Sequence, residues 1–208
     1  MSISSVRAQI NGTWYTLTYD SASGAYKATI TAPGQTSFHQ SGGYYNIKVE
    51  ATNTAGTTGT AEGGTLSGLR LVVKEKIAPT ITVLSPSGGA FVTNNKQPVV
   101  FNIVDEAGGS GIKLSSLVVK QDGTAVASDT IKTTAITNGY SATYTPATAL
   151  SDGSHTVTID VSDNDGNAAV QKSTTYKVDT VPPILNVTAP AEGFITATPA
   201  LSISGKTN

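Results

Sequence analysis

The chain has 208 residues, of which 38% are hydrophobic, only 13% are charged and none is cysteine. A formal net charge of −1 leaves no basic surface for phosphate groups, which excludes the usual electrostatic basis of nucleic-acid binding. The absence of cysteine excludes a disulfide framework and a cysteine-based metal site. Residues 1–7 lack the apolar core of a signal peptide and no later run is long enough to span a bilayer, so we expect no membrane insertion and any export signal outside this segment.

The sequence repeats itself over long intervals. Residues 4–13 match residues 115–124 without a gap, and residues 45–51 match residues 155–161. Both pairs alternate between apolar and polar residues, which is typical of β-strands with one buried face.

A third match, between residues 75–79 and 179–183, marks the limits of one complete module. We therefore predict a complete module at 77–180. It is preceded at 1–76 by a module that lacks its first two strands, and it is followed at 181–208 by the first two strands of a further module.

The complete module has the strand pattern of a β-sandwich. Its predicted strands lie at 81–83, 99–103, 117–120, 125–126 with 130–131, 140–144, 157–161 and 176–178. Short strands separated by turn signals over about 100 residues predict a two-sheet Greek-key sandwich with alternating aliphatic faces as its core. Tyr45 and His155 occupy equivalent places near the start of the sixth strand, where we expect a side chain that hydrogen-bonds to the adjoining loop.

The two ends of the chain fall in the same loop of the repeat, between the second and third strands, so the ends are complementary fragments. Deleting the second strand would leave the core without residues such as Val99, Phe101 and Ile103 and would expose the side chains that pack against them. Each of these residues contributes about 1.5–3 kcal/mol to the stability when it is buried. We hypothesise head-to-tail strand donation between chains. The alternative is a fragment of a longer array with one or both ends poorly ordered.

Several motifs resemble bacterial immunoglobulin-like (Ig-like) repeat modules. They are the proline-led first strand at 81–86, the Asp-Gly-Ser-His-Thr-Val-Thr-Ile run at 152–159 and the hairpin at 163–167. The linker at 178–183 is similar to the join between such modules. The resemblance implies an all-β chain of tandem Ig-like Greek-key sandwiches.

The first copy carries a second resemblance. Residues 11–20 and 25–33 look like repeats of phage and prophage tail-associated proteins. This implies a structural, spacer or adhesive role in a virion or on a cell surface. Such modules also occur in bacterial adhesins and beside carbohydrate-active enzymes, and the sequence does not separate these settings.

Acidic residues are expected to converge at one end of the complete module. Asp105 and Glu106 lie in one loop, Asp163 and Asp165 lie in another, and the linker brings Glu75 to the same end. Oxygen ligands from two loops and a linker would suit Ca²⁺, and a bound ion would stiffen the joint between modules. The alternative is that the Asp side chains accept hydrogen bonds from the backbone of their own turns.

No catalytic constellation accompanies these residues. His39 and His155 lie in unrelated places without a nucleophile motif or metal-type spacing, and the glycine run at 108–111 opens no helix that could bind a phosphate. We expect no catalytic residue, no cofactor other than the calcium candidate, and no enzymatic activity.

The first copy is rich in aromatic residues, which could form a platform for sugars. Alternation puts Tyr15, Leu17 and Tyr19 on one face of a strand and Trp14 on the other. Packing in a core or against a donated strand is the alternative use. The aromatic residues concerned are Trp14, Tyr15, Tyr19, Tyr26, Tyr44 and Tyr45.

Together these patterns predict a non-enzymatic structural or spacer part of a larger extracellular protein, either phage tail-associated or on a bacterial cell surface, that supports adhesion or assembly. Its expected partners are neighbouring Ig-like modules. The alternative is an adhesin module, the aromatic first copy, that recognises a cell-surface glycan or protein.

Overall fold

A computed structural model describes residues 2–197 and 200–207, whose regular structure consists of β-strands and four short 3-10 turns. No helix in this part of the chain is long and apolar enough to cross a membrane. The composition favours strands, because β-branched side chains pack well on a pleated surface while Gly, Asn and Asp form the turns between strands. The predicted all-β class is confirmed.

Residues 3–71 form one antiparallel sheet. Its strands are β1 Ile3–Ile10, β2 Thr13–Asp20, β3 Ala25–Lys27, β4 Tyr45–Asn53, β5 Thr58–Glu62 and β6 Arg70–Leu71. The order in the sheet is β3-β2-β1-β4-β5, and β6 also pairs with β4. The turn between β1 and β2 requires positive φ at Asn11 and Gly12, which these two residue types tolerate best. This turn sets a register in which Val6 lies opposite Leu17 and Ala8 opposite Tyr15.

Residues 80–178 form a sandwich of two sheets. One sheet has the order β12-β13-β9-β7 and the other β11-β10-β14-β15-β8. The nine strands are β7 Thr80–Ser85, β8 Phe91–Val92, β9 Val99–Val104, β10 Val118–Gln121, β11 Thr124–Ala125, β12 Ile131–Ile136, β13 Gly139–Tyr144, β14 Gly153–Asp160 and β15 Lys172–Val178.

The core of the sandwich lies between these two sheets. Every second residue of β9, starting at Val99 and including Phe101 and Ile103, is fully buried. Val157 and Ile159 of β14 are fully buried in the facing sheet. The predicted strands at 99–103 and 157–161 therefore supply the aliphatic faces that the alternation indicated.

Several strands of the sandwich differ from the prediction: β7 runs from Thr80 to Ser85 and β14 from Gly153 to Asp160, both longer than predicted. The predicted piece at 130–131 leads into β12, which continues to Ile136 because it pairs along its whole length with β13. The predicted last strand at 176–178 begins at Lys172, because β15 pairs with β14 over seven residues. Phe91–Val92 adds a parallel strand beside β15, and a two-residue strand is too short for alternation to reveal.

The remaining strands, β16 Leu185–Ala189 and β17 Ser204–Thr207, form an antiparallel hairpin. Leu185 lies opposite Thr207 and Val187 opposite Gly205, with a register irregularity after Val187. The β7–β9 pair has the same arrangement, including an irregularity after Val83. The division of the chain at 1–76, 77–180 and 181–208 stays a prediction.

Candidate functional site

The predicted acidic residues lie where residues 73–76 pass one end of the sandwich. We call this set the acidic joint: Glu75, Asp105, Glu106, Asp163 and Asp165. Asp105 and Glu106 directly follow β9, whereas Asp163 and Asp165 lie in the loop between β14 and β15. A bridge between Ile112 and Asp163 holds the two loops together.

Asp165 fastens the first part of the chain to the sandwich. Its Oδ2 accepts a hydrogen bond from Oγ1 of Thr36 at 2.5 Å and another from the backbone N–H of Glu75 at 3.1 Å. Its carbonyl oxygen accepts a hydrogen bond from Nζ of Lys74 at 3.1 Å. One side chain therefore contacts two separate segments that are joined to the β1–β6 sheet.

Further polar contacts surround this connection. Oγ of Ser110 donates to Oε1 of Glu75 at 3.1 Å, and Nδ2 of Asn167 donates to the Glu75 carbonyl at 3.2 Å. Nε2 of His39 lies 2.9 Å from the carbonyl oxygen of Gly109. The joint is thus held by hydrogen bonds, which are directional, rather than by an apolar interface alone.

Asp163 accepts hydrogen bonds from the backbone of its own turn. Its Oδ1 accepts hydrogen bonds from the backbone N–H groups of Gly166 at 2.6 Å and Asn167 at 2.8 Å, and its Oδ2 accepts one from Asn167 Nδ2 at 2.7 Å. Burial raises the pKa of Asp163, but the hydrogen bonds from Asn167 outweigh burial and hold the pKa below its ordinary value. This is the turn chemistry that the sequence offered as the alternative to metal binding.

The other three acids converge. One carboxylate oxygen from each of Glu75, Asp105 and Glu106 lies within 4.8 Å of the others. Asp105 is 4% exposed, and its Oδ2 accepts a hydrogen bond from the backbone N–H of Gly111 at 2.7 Å. Among the described residues, Asp105 Oδ1 and Glu106 Oε2 are buried and have no hydrogen-bond partner.

This convergence shifts protonation. Burial, with the adjacent Asp105 carboxyl adding to it, raises the pKa of Glu106 to about 7. Burial and the hydrogen bond with Asp163 raise the pKa of Glu75. Near pH 7 the Glu106 carboxyl, with a pKa of about 7, is therefore partly protonated.

The residues present fit a divalent cation. Three hard carboxylate ligands from a linker and a loop, two of them with an unused buried oxygen, are a ligand set that Ca²⁺ accepts. The predicted set of five acids is nevertheless divided, because hydrogen bonds already engage Asp163 and Asp165. Calcium binding itself stays a prediction.

The two predicted loop tethers are confirmed. Tyr45 donates from its hydroxyl to the carbonyl of Gln35 at 3.2 Å. His155 has its Nε2 2.8 Å from the carbonyl oxygen of Ser151 and its Nδ1 2.7 Å from Oδ2 of Asp122. Burial lowers the pKa of His155, but the Asp122 carboxylate outweighs burial and the net shift is upward.

The aromatic residues of the first sheet lie on both of its faces, as the alternation predicted. Tyr15 lies opposite Ala8 and Trp14 opposite Gln9. The Arg7 guanidinium lies 4.1 Å from the centre of the Trp14 ring. The described aromatic side chains therefore form no single flat platform, although the rings of Tyr19 and Tyr26 lie 5.2 Å apart.

The sequence did not indicate that residues 36–39 belong to the joint. Thr36 and His39 lie in an irregular stretch without periodicity, and only the folded chain brings them to Asp165 and Gly109. A groove of about 470 Å³ opens beside them, lined by Phe38 and His39 on one side and by residues of the sandwich on the other.

Comparisons with solved structures give distant similarities. Fibronectin(III)-like modules of Clostridium thermocellum CbhA share 18% identity over 85% of this chain and 78% of that chain, with a TM-score of 0.34. Dimeric latent PorU of Porphyromonas gingivalis shares 15% identity over 84% of this chain but 16% of that chain, with a TM-score of 0.40. The SrpA adhesin of Streptococcus sanguinis shares 18% identity over 54% of this chain and 64% of that chain, with a TM-score of 0.35.

No curated protein matches the sequence. The model of the bacterial Ig-like domain family matches residues 78–180, the segment that contains all nine strands of the sandwich. The motifs at 152–159 and 163–167, which carried the resemblance in the sequence, lie in this segment. Residues 78–180 are therefore identified as a bacterial Ig-like domain.

Proposed function

We propose that the chain is a non-catalytic structural part of a larger extracellular protein, in which the acidic joint fixes the orientation of one Ig-like unit against the next. The observation that carries this proposal is the pair of hydrogen bonds that Asp165 accepts from Thr36 and from the backbone of Glu75. In such a protein the shape and stiffness of the chain are the function, and no reaction is required.

The physical argument rests on direction and charge. A hydrogen bond to a charged acceptor contributes about 1.5–3 kcal/mol, less where solvent reaches it. Two such bonds from one carboxylate, reinforced by Ser110 and Asn167 on Glu75, favour one orientation of the linker over the many that a free linker would adopt.

A cation is the second component of the proposal. Ca²⁺ held by Glu75, Asp105 and Glu106 would offset two of the three negative charges and connect the linker to the loop after β9. Stiffness would then depend on the calcium concentration outside the cell. The setting we propose is a phage tail-associated or a bacterial cell-surface protein, which the family of residues 78–180 and the phage-like motifs at 11–20 and 25–33 support.

Recognition of a surface glycan is a second candidate. Tyr19 is 55% exposed and its ring lies 5.2 Å from that of Tyr26 in a tilted arrangement, which provides a small aromatic surface for a sugar ring. A glycan array probed with the chain and with a Tyr19→Ala variant tests it. Binding that the variant loses would support recognition, and an array without hits would remove this candidate.

The structural proposal is tested by residual dipolar couplings of the isotopically labelled chain. If the joint is stiff, couplings from β1–β6 and from the sandwich fit one alignment tensor. In an Asp165→Ala variant the two parts should need different tensors, whereas Asp129→Ala, an exposed acid far from the joint, should behave as the wild type. Separate tensors already in the wild type would overturn the proposal.

A further inference from the structure

The imidazole ring of His155 joins two loops at the end of the sandwich away from the acidic joint. β14 begins beside this ring and ends at Asp160, on the side of the acidic joint. The Nδ1 atom of the ring lies 2.7 Å from Oδ2 of Asp122, and its Nε2 atom lies 2.8 Å from the carbonyl oxygen of Ser151. A carboxylate and a carbonyl oxygen only accept hydrogen bonds, so both ring nitrogens have to donate. The geometry therefore requires the doubly protonated, positively charged form of His155.

The groups around the ring favour this charged form. Burial raises the pKa of Asp122, but the hydrogen bonds from His155 and from the backbone N–H of Thr156 outweigh burial and hold the pKa below its ordinary value. The ring of Tyr176 on β15 lies 6.3 Å from the ring of His155, and burial raises the pKa of Tyr176 to about 12. Burial also raises the pKa of Tyr144 on β13. Within this set, His155 is thus the group that changes charge between mildly acidic and mildly alkaline pH.

The loop that contacts His155 also holds the linker at 178–183. Asp152 directly follows Ser151, and its Oδ1 accepts hydrogen bonds from the backbone N–H of Thr180 at 3.0 Å and from Oγ1 of Thr180 at 2.8 Å. β15 ends at Val178, so Thr180 is the second residue of the chain beyond the sandwich. Asp152 therefore fixes the direction in which the chain leaves the sandwich.

The segment that carries Asp152 can move without disturbing the core. Leu150, which precedes it, is half-buried, and its backbone N–H donates to the carbonyl of Asn95 at 2.8 Å. Gly153, which follows it, has a φ of +130°, a conformation that residues with side chains rarely adopt. Ser151 and Asp152 are exposed between these two points. A change at the Ser151 carbonyl is thus confined to residues 151–153.

The first copy has a non-titrating pair at the equivalent positions. The matches of residues 4–13 with 115–124 and of residues 45–51 with 155–161 place Asn11 opposite Asp122 and Tyr45 opposite His155. Asn11 and Asp122 share a positive φ, of 47° and 51°. Tyr45 donates to the carbonyl of Gln35, and a phenol makes this hydrogen bond without taking up a proton. Tethering the loop therefore does not require a charged pair, whereas the charged pair adds a dependence on pH.

We propose that protonated His155 locks residues 151–153 in place, so that Asp152 fixes the linker at Thr180, and that loss of the proton releases both. A neutral ring keeps its single N–H toward the stronger acceptor, which is the Asp122 carboxylate. The lone pair on Nε2 then faces the carbonyl oxygen of Ser151, and this contact becomes repulsive. Residues 151–153 move away, and the hydrogen bonds from Thr180 to Asp152 are lost.

The direction of the pH dependence follows from the charges. Burial lowers the pKa of His155, but the hydrogen bond with Asp122 outweighs burial, so the pKa lies above its ordinary value of 6.5. The lock is complete below pH 6.5 and is lost as the pH rises through the raised pKa. The linker is thus fixed in acidic surroundings and freed in alkaline ones. This inference is independent of the proposed role of the acidic joint, because none of its residues belongs to that set.

The mobility of a spin label on the linker tests the inference. The chain has no cysteine, and Val181 is 66% exposed, so a nitroxide can be attached at Val181→Cys. Continuous-wave electron paramagnetic resonance should show an immobilised label at about pH 5 and a mobile label at about pH 9. The midpoint of this change should coincide with the titration of the His155 ring followed by NMR. Label mobility that stays constant while His155 titrates would overturn the inference.

Three variants separate this lock from a general effect of pH. Asp122→Asn should lower the midpoints of the His155 titration and of the mobility change together, by about one pH unit or more. Asp152→Ala should leave the label mobile at every pH, because Thr180 loses its acceptor. Asp129→Ala removes an exposed acid outside this set and should keep the wild-type profile. A mobility midpoint that stays in place while Asp122→Asn shifts the His155 titration would also overturn the inference.

Discussion

The protonation of Glu106 gives a prediction that can be worked out in magnitude. Burial next to Asp105 raises the pKa of Glu106 from 4.5 to about 7, so the folded chain keeps this proton to higher pH than the unfolded chain does. The associated stability is fully present below about pH 4.5 and is lost as the pH rises through about 7. In the presence of a chelator, we expect the sandwich to become less stable between pH 5 and pH 8.

The full shift corresponds to roughly 3 kcal/mol. Because Glu106 is only half-buried, solvent screening reduces this to about 1–2 kcal/mol. For a domain of about 100 residues, that change lowers Tm by about 5–10 °C. Ca²⁺ should restore the loss at pH 8, where the carboxylates are ionised, and have little effect at pH 5.

Differential scanning calorimetry of the wild type and a Glu106→Gln variant measures this effect. The variant carries a neutral side chain at every pH, so its Tm should fall less between pH 5 and pH 8 and respond less to Ca²⁺. His155 also has a raised pKa, and its pH dependence has the same sign, but it is common to both proteins and cancels in the comparison. Equal pH profiles for the wild type and the variant would refute the reasoning.

Three further variants test the sandwich and its turns. Phe101→Ala should lower the free energy of unfolding by about 3–5 kcal/mol because it empties a fully buried site, while Thr82→Ala on the exposed face should change it by less than about 0.5 kcal/mol, as measured in urea. Asp163→Ala should cost about 1–3 kcal/mol in the same assay, because it leaves the backbone N–H groups of its turn without an acceptor; a neutral result would contradict that role. Asp122→Asn should return the His155 pKa toward its ordinary value, and an unchanged NMR titration would count against the ion pair.

Local pattern was enough to predict the sandwich. The alternation of apolar and polar residues at 99–103 and 157–161 identified both faces of the core, because successive side chains of a strand point to opposite faces of the sheet. The equivalence of Tyr45 and His155 also predicted two hydrogen bonds to adjoining loops that the structure contains. Short strands such as β8 escaped prediction because two residues carry no periodicity.

The site was predictable only in part, for a different physical reason. The sequence predicted that five acids converge at one end of the sandwich, and the structure brings together the carboxylates of Glu75, Asp105 and Glu106. It could not tell which carboxylates would be engaged by backbone N–H groups, as Asp163 is, because that depends on the conformation of one turn. Contacts such as Thr36 with Asp165 join residues far apart in the sequence and leave no local signal.

The central claim, a joint of fixed orientation, is tested most directly by a distance measurement across it. The chain has no cysteine, so spin labels can be attached at Thr16→Cys on β2 and Thr124→Cys on β11, which are both exposed sites. Double electron–electron resonance spectroscopy should give one narrow distribution of the distance between the two labels, and this distribution should broaden when Asp165→Ala is added. A distribution that is already broad with Asp165 present, or that keeps its width without Asp165, would contradict the account.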